Sequence, residues 1–289
     1  MQITLVMAAQ LRVTRWTGGG AAAWSTSNPQ HGRARVMLRL DVADHIAVVT
    51  IDHPPVNAQP PELMAEMTAI FDSLSDRDDV RVAILTGTGR MFSAGADLKN
   101  RPGPDAPPGT MWSRMRLARE AMYSIMECRK PVIAAINGPA IGAGFGLASV
   151  CDILVASDNA YLSLPEIDVG LMGGVRHAMR LFPHSLVSKM VLTGCRVSGE
   201  ELLQYRVVDA CLPLEKLMDH CMDLARTIAA KSPLAIALAK DALVTVGNLS
   251  IRDGYRYEQS NTVRLSRTED AVEARTAVLE KRAPVFKGR

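Results

Sequence analysis

The sequence predicts an α/β protein in which a strand–turn–helix unit repeats and helices follow towards the C-terminus. Two separate segments, residues 81–98 and 130–152, each carry an apolar, β-like run that meets a glycine-rich turn. Beyond Pro183 the apolar residues recur at helical spacing instead. With 289 residues, 48% of them hydrophobic, the chain can bury a large core without covalent cross-links.

The first 35 residues differ in composition from the rest of the chain. Residues 1–40 contain five arginines and a Gly-Gly-Gly-Ala-Ala-Ala tract but no Asp or Glu. A transit peptide can have this composition, but this segment has no clear amphipathic pattern. We therefore interpret residues 1–35 as a disordered N-terminal extension that precedes a start near Met37.

The first regular elements are a strand and a helix. Residues 46–51 are rich in β-branched residues and predict a buried strand. A helix is predicted after Pro60 and Pro61, because proline is tolerated in a first turn and apolar residues then recur at helical spacing. These residues are Leu63, Met67, Ile70 and Leu74.

The second unit is predicted to be a strand at residues 82–86, a Gly-Thr-Gly turn, and a helical stretch that opens at residues 93–97. Residues 100–111 are rich in proline and glycine, so they predict an irregular loop. In the third unit, residues 131–136 predict a strand and residues 143–150 a packed helix.

The glycine-rich turn of the third unit predicts a binding site made of main-chain amides. The first N–H groups of a helix have no partner inside that helix, and they favour an oxygen that carries negative charge. Two loops of this type could each point one N–H at the same oxygen, as in an oxyanion hole. A dinucleotide-binding loop, which has the spacing G-x-G-x-x-G, is the alternative. Here Gly142, Gly144 and Gly146 are spaced G-x-G-x-G, and Leu147 occupies the position where that pattern requires its third glycine.

The C-terminal part predicts helices that need a partner surface. One apolar stripe consists of Leu217, Cys221, Leu224 and Ile228. Another helix is predicted to begin at Ser232-Pro233. We therefore divide the chain into the extension, a core at residues 36–200 and a helical region at residues 201–289.

Six motifs occur in an order that resembles the crotonase (enoyl-CoA hydratase/isomerase) superfamily. They are HPPVNA at 53–58, ILTGTGRMFSAGADLK at 84–99, NGPAIGAGFGLASVCD at 137–152, LPEIDVGL at 164–171, LTGCRVSGEE at 192–201 and EKRAPVFKG at 280–288. The resemblance implies a crotonase-like spiral core with a C-terminal helical trimerisation region. It also implies a coenzyme A thioester as substrate, no separate cofactor or metal, and a homotrimer or hexamer.

The resemblance also implies catalytic residues. The main-chain amides of Ala96 and Ala143 would hold the thioester carbonyl, and Glu166 would be the acid/base. The second glutamate of family hydratases falls on Gly146. One carboxylate must therefore both activate water and pass a proton to carbon, or perform only one of these steps. Isomerisation, hydrolysis and decarboxylation of a CoA thioester are therefore alternatives to simple hydration.

The remaining candidate residues follow from the same resemblance. Lys99 and Lys281 match positions near the phosphates and ribose of coenzyme A, Lys281 from a neighbouring subunit. Arg176 and His177 match paired glycines near the acyl group, where they could hold a carboxylate and relay a proton; alternatively, both are structural. The loop after Lys99 would act as a lid. Further substrate-binding candidates are Ala94, Asp97 and Gly142.

Other functional classes find less support. A net charge of +3 argues against a nucleic-acid-binding protein, although Arg114, Arg116 and Arg119 beside Trp112 leave RNA binding as an alternative to a solvated helix face. That helix would bury Met115, Met122 and Met126. No G-x-S-x-G motif accompanies a serine, and no apolar run is long enough to span a membrane. The five cysteines have no C-x-x-C pair, which is typical of a reducing compartment, and we expect the cytoplasm.

Overall fold

The computed structural model describes residues 36–289, and the predicted N-terminal extension lies outside the described residues. In chain order the elements are β1 (Leu38–Ala43), β2 (Ile46–Ile51), β3 (Ala58–Gln59), α1 (Pro61–Asp76), β4 (Val82–Gly87), β5 (Gly95–Ala96), α2 (Thr110–Met126), β6 (Val132–Ile136), β7 (Ala140–Ile141), α3 (Ala143–Ser149), β8 (Ile153–Ser157), β9 (Tyr161–Ser163), a 3-10 turn (Pro165–Val169), α4 (Val175–Leu181), α5 (His184–Thr193), β10 (Arg196–Ser198), α6 (Gly199–Gln204), β11 (Cys211–Leu212), α7 (Leu214–Ala229), α8 (Pro233–Thr245), a second 3-10 turn (Val246–Asn248), α9 (Ile251–Leu265) and α10 (Glu269–Glu280).

The main sheet has six strands in the order β1-β2-β4-β6-β8-β11. Strand β1 is antiparallel to β2, and the other neighbours are parallel. Both faces of the sheet are covered: Ala83 and Leu85 of β4 face the larger core, whereas Val82 and Ile84 face helix α7. Burial on both faces explains why β4 and β6 are continuous apolar runs rather than alternating ones.

Short strands form a second layer that produces the repeat. Strands β2, β4, β6 and β8 of the main sheet are each followed by a short strand, namely β3, β5, β7 and β9. The short strands pair with one another: β3 with β5, and β7 with β9. A bridge between Ser93 and Ala140 joins the two pairs. The chain therefore climbs in repeated turns, and the predicted spiral α/β architecture is confirmed.

One predicted helix is wrong. Residues 93–97 do not open a helix; they contain strand β5, and the next helix begins only at Thr110. Gly95 has a φ of 86°, which is incompatible with a right-handed helix, and Ala58–Gln59 pairs with Gly95–Ala96. A long-range pairing thus overrides the local preference for a helix. The predicted loop before α2 is present over residues 101–109.

The predicted orientation of α2 needs a correction. The sequence analysis placed Arg114 on an exposed basic face and Met115 on the buried face. Arg114 is instead only 7% exposed, and Met115 is 46% exposed. Arg114 points inward because its guanidinium donates to the carbonyl oxygens of Asp97 (2.6 Å) and Asn100 (2.9 Å). The basic surface proposed for RNA therefore loses one of its charges.

The predicted apolar stripe lies on α7, and α8 begins where the sequence predicts. Leu217 and Cys221 of α7 are buried against the main sheet, and Ser232 caps α8 by accepting a hydrogen bond from Ala235. Helix α8 is anchored to the core by Lys240, whose ammonium lies 2.8 Å from the Asp152 carboxylate. A bilayer-spanning helix would need more length and apolarity than any helix of residues 36–289 has.

Candidate active site

The loop before β5 and the turn before α3 are hydrogen-bonded to each other. The amide of Ile141 donates to the Ser93 carbonyl (3.0 Å), and the amide of Ser93 donates to the Pro139 carbonyl (3.2 Å). The two main chains then come so close that a carbon added to Gly95 would lie 3.0 Å from the amide nitrogen of Ala143. The structure therefore brings the predicted oxyanion segments at Ala96 and Ala143 side by side.

A buried polar network holds the first of these segments. The Ser93 hydroxyl donates to the Asn57 carbonyl (2.6 Å) and accepts from the Gln59 side-chain amide (2.9 Å) and the Gly95 amide (3.2 Å). The side-chain amide of Asn57 donates to carbonyl groups of the turn between β4 and β5. These belong to Thr88, Met91 and Phe92.

Asn57, Gln59 and Ser93, for which the sequence predicted no role, are all 1% exposed or less. Asn57 and Ser93 lie within two of the six motifs, whereas Gln59 is marked only as a polar residue between apolar ones. Buried polar groups are almost always hydrogen-bonded, so this network fixes the path of the main chain at Ala96.

The turn before α3 exposes the first amide of the helix. Gly142 has a φ of 55° and a ψ of −117°, a conformation that residues with a side chain rarely adopt. Its amide donates to the Ser163 carbonyl (3.0 Å), and the helical hydrogen bonds start with Gly146 N–H to the Gly142 carbonyl (3.0 Å). Ala143 precedes that first bond and is partly exposed, so its N–H has no helical partner.

The carboxyl group of Glu166 lies next to this turn. Ile141 pairs with Ser163, and Glu166 follows three residues after Ser163, in the 3-10 turn. A carbon added to Gly142 would lie 2.7 Å from Glu166 Oε1, and a carbon added to Gly173 would lie 3.7 Å from the same atom. The structure thus brings Gly142 and Ala143 of the motif at 137–152 together with Glu166 of the motif at 164–171.

The environment of the Glu166 carboxyl favours its protonated form. Its Oε2 atom is buried and has no hydrogen-bond partner within residues 36–289. Burial raises the pKa of Glu166 above its ordinary value, although a main-chain hydrogen bond partly opposes this shift. A carboxyl group with a raised pKa and a free oxygen can both accept and return a proton near neutral pH.

The space beside Gly146, where the family resemblance predicts a second glutamate, is filled from another helix. A carbon added to Gly146 would overlap Met122 Cε and would lie 3.1 Å from Met122 Sδ. Gly146 itself is buried. The sequence analysis noted the absent acid at Gly146 but not this contact, because Met122 belongs to α2.

The other candidate residues on either side of β5 serve mainly the local conformation of the main chain. The Ala94 amide donates to the Val56 carbonyl (2.9 Å). The Asp97 carboxylate accepts from the Lys99 amide (2.9 Å) and from the Asn100 side chain (2.6 Å). Asp97 therefore closes a local turn, which leaves the Lys99 side chain exposed at the surface.

Helix α4 follows the loop that faces Glu166. Arg176 is exposed, and His177 is partly buried one turn after Gly173. Burial, and then the charges of Arg180 and Arg176, lower the pKa of His177, which favours the neutral form of its ring. No hydrogen bond within residues 36–289 joins His177 to Glu166. Lys281 lies far along the chain, exposed at the C-terminal end of α10.

Comparison with known proteins identifies the family. The family model for enoyl-CoA hydratase/isomerase matches residues 41–289. This chain belongs to that family. Carnitinyl-CoA dehydratase from Escherichia coli (strain K12) is 37% identical over 265 residues, which cover 87% of this chain and 98% of that protein. Carnitinyl-CoA dehydratase from Salmonella enteritidis PT4 is 38% identical over 252 residues, with coverages of 84% and 95%.

Two solved structures have the same fold as this chain. An enoyl-CoA hydratase from Bacillus anthracis superimposes with a TM-score of 0.83 at 30% identity, covering 88% of this chain and all (100%) of that one. Pseudomonas aeruginosa DspI gives a TM-score of 0.84 at 29% identity, with coverages of 90% and 100%. The prediction of the crotonase superfamily is confirmed, whereas the roles given to Ala96, Ala143 and Glu166 stay predictions.

Proposed function

We propose that this family member binds an acyl-CoA thioester and forms an enolate-like state at it. The thioester oxygen accepts hydrogen bonds from the amides of Ala96 and Ala143, and Glu166 removes a proton from the adjacent carbon. The observation that carries the proposal is the proximity of three elements: Gly95 against the Ala143 amide, and the Glu166 carboxyl against Gly142. These are the parts that a thioester enolate needs.

Each part contributes a definite share of the catalysis. A main-chain donor that is already aimed at the developing oxyanion is worth about 3 kcal/mol of transition-state stabilisation. The network around Ser93 supports this function because it holds the Ala96 segment rigid before the substrate binds. Glu166, with its raised pKa, is an effective base for a carbon acid, since its basicity lies closer to the working pH than that of an exposed glutamate.

The fate of the proton defines the reaction. After Cα–H is broken, Glu166 can return the proton to Cα, which is exchange, or to Cγ, which moves the double bond. With Gly146 in place of an acid, the second carboxylate that would activate water is absent. We therefore propose that exchange and double-bond isomerisation outpace hydration. The protein then acts as an isomerase or as a lyase of restricted scope.

A second candidate is the dehydration of a 3-hydroxyacyl thioester. The named relatives are carnitinyl-CoA dehydratases, and the identity of 37% covers almost their whole length. Glu166 alone would take the proton from Cα and pass it to the leaving hydroxyl, so that an enoyl thioester and water form. This reaction is the reverse of hydration, so a single carboxylate that suffices for it also suffices for hydration, and the second candidate therefore competes with the first. Hydrolysis and decarboxylation of the thioester are further alternatives.

The coenzyme A end and the assembly are also part of the proposal. Exposed Lys99 and Lys281 are suited to bind phosphate groups, the second from a neighbouring subunit of a homotrimer or hexamer. Apolar side chains exposed on α9 and α10 support such an association: Ile251 (94%), Tyr255 (61%), Val278 (77%) and Leu279 (83%). Light scattering should give the mass of a trimer or hexamer. All five cysteines are free thiols, which supports our expectation of the cytoplasm.

The test is a product analysis in heavy water. The protein is incubated separately with crotonyl-CoA, a 3-enoyl-CoA, carnitinyl-CoA and a saturated acyl-CoA, and the products are identified by mass spectrometry. We expect deuterium incorporation and double-bond migration to exceed hydration of crotonyl-CoA. Hydration as the fastest reaction would contradict the argument from Gly146. Water loss from carnitinyl-CoA as the fastest would favour the second candidate.

A binding measurement tests the substrate class separately. A ligand that binds only the folded protein raises the melting temperature. We expect free coenzyme A and acyl-CoA to do so at millimolar concentration. If no CoA species shifts the melting temperature, the acyl-CoA proposal fails.

A further inference from the structure

Met122 and Gly146 form a contact between α2 and α3 that bears directly on the reaction. We propose that Met122 is a specificity-determining residue: its thioether fills the space beside Gly146, keeps water and a second acid out of the site, and so directs the enzyme towards proton transfer between carbons. This inference rests on the proposed function, which it deepens by naming the residue that separates hydration from isomerisation.

The first step is the location of position 146. Gly142 is the N-cap of α3, and its carbonyl accepts the first helical hydrogen bond from the Gly146 amide. Ala143 is the first residue of α3, and residues three apart on a helix lie on the same side, with about 5 to 6 Å between them. Since Gly142, beside the Glu166 carboxyl, directly precedes Ala143, the space beside position 146 is roughly one turn along α3 from that carboxyl.

The second step is the occupant of this space. Among residues 36–289, the neighbouring elements place only Cε and Sδ of Met122 within 4 Å of a carbon added to Gly146. Met122 is partly buried and packs against the main hydrophobic core together with Ala121 and Ile125 of the same helix. One side chain therefore determines whether this volume is apolar and filled or open to another group.

The third step is the chemistry of that side chain. A thioether neither donates a strong hydrogen bond nor accepts one well, so it cannot orient a water molecule for attack. A carboxylate at position 146 would need the same volume, and Met122 must move before it can fit. Met122 thus occupies the volume that an acid at position 146 would need, and its thioether cannot replace that acid.

The main test is a double-mutant cycle on product ratio. Gly146→Glu is introduced into the unmodified protein and into the Met122→Ala variant, and hydration of crotonyl-CoA is measured against isomerisation of a 3-enoyl-CoA. We expect Gly146→Glu to raise the ratio of hydration to isomerisation on the order of tenfold more in the Met122→Ala background, the low end of the effect of a general acid or base. An equal rise in both backgrounds overturns the proposal.

Met126 provides the matched control. It is a methionine of the same helix, one turn further on, and its sulfur contacts Arg180 rather than position 146. Met126→Ala removes the same number of atoms from α2, so it reproduces any general loosening of that helix. We expect Gly146→Glu to have the same effect with and without Met126→Ala. A rise as large as that seen with Met122→Ala refutes a specific role for Met122.

A stability measurement checks the contact without using activity. Alanine is a better helix former than glycine, but its methyl group at position 146 must displace Met122. Gly146→Ala should therefore raise the melting temperature by a few degrees more in the Met122→Ala background than in the unmodified protein. Equal shifts show that Met122 does not fill this space. A clear difference without any turnover of CoA thioesters contradicts the proposed function instead, while the contact itself stands.

Discussion

Replacing Gly142 by alanine tests the geometry of the site most sharply. The new Cβ would lie 2.7 Å from Glu166 Oε1, whereas an ordinary contact begins near 3.4 Å, so the carboxyl must retreat by about 0.7 Å. Displacements of this order at a catalytic group can reduce the rate about 100-fold. The φ of 55° with a ψ of −117° adds backbone strain of about 1 to 3 kcal/mol.

We therefore expect Gly142→Ala to lower kcat about 100-fold and to lower the melting temperature, with coenzyme A binding retained. Steady-state kinetics on a 3-enoyl-CoA and thermal unfolding measure the two effects. Gly173→Ala is the matched control, because its Cβ would lie 3.7 Å from the same oxygen, an ordinary contact. If Gly142→Ala turns over substrate as fast as Gly173→Ala does, the carboxyl does not work from the position described.

Three further changes test other parts of the molecule. Because burial raises the pKa of Glu166 and a base must be ionised, kcat/KM should rise with pH through an apparent pKa above 4.5. Glu166→Gln should abolish this rise and reduce turnover about 100-fold or more. Near-normal turnover in that variant would exclude Glu166 as the base. Arg114→Met should loosen the loop from Asp97 onward and accelerate its cleavage in limited proteolysis, and an unchanged cleavage rate would show that the guanidinium does not hold the loop. Lys240→Met leaves the Asp152 carboxylate buried without its cation, so urea denaturation should show a loss of about 3 to 5 kcal/mol, whereas a loss below about 1 kcal/mol would indicate an effectively solvated pair.

Elements with a regular apolar pattern could be predicted from the sequence. The strand at residues 46–51 has the predicted ends, and the helix after the glycine-rich turn, expected at residues 143–150, is observed at Ala143–Ser149. Both are short-range patterns whose periodicity reflects burial directly. The order of the six motifs predicted the family and its spiral core, neither of which a single motif predicts.

Features that depend on distant residues could not be predicted. The segment at Gly95 looked helical by composition, but its pairing with Ala58 makes it a strand. Arg114 looked like part of a solvated basic face, but it reaches main-chain oxygens that exist only once the loop at Asp97 has folded. Charge and composition do not report such contacts.

The site was predictable only in part for the same reason. Glu166 and Gly142 were selected from separate motifs, and their proximity depends on the pairing of β7 with β9. The side chain that fills the space at Gly146 comes from α2, and nothing in the sequence marks Met122 among the 15 methionines of the chain. Such contacts depend on the packing of whole elements.

The most direct test of the central claim is deuterium exchange at the α-carbon of a saturated acyl-CoA. This substrate can be neither hydrated nor isomerised, so exchange reports enolate formation alone. We predict exchange by the unmodified protein that falls about 100-fold or more in the Glu166→Gln variant, while that variant still binds the thioester. No exchange above the rate in buffer, or equal exchange in both proteins, would contradict the account of a thioester enolate formed by Glu166.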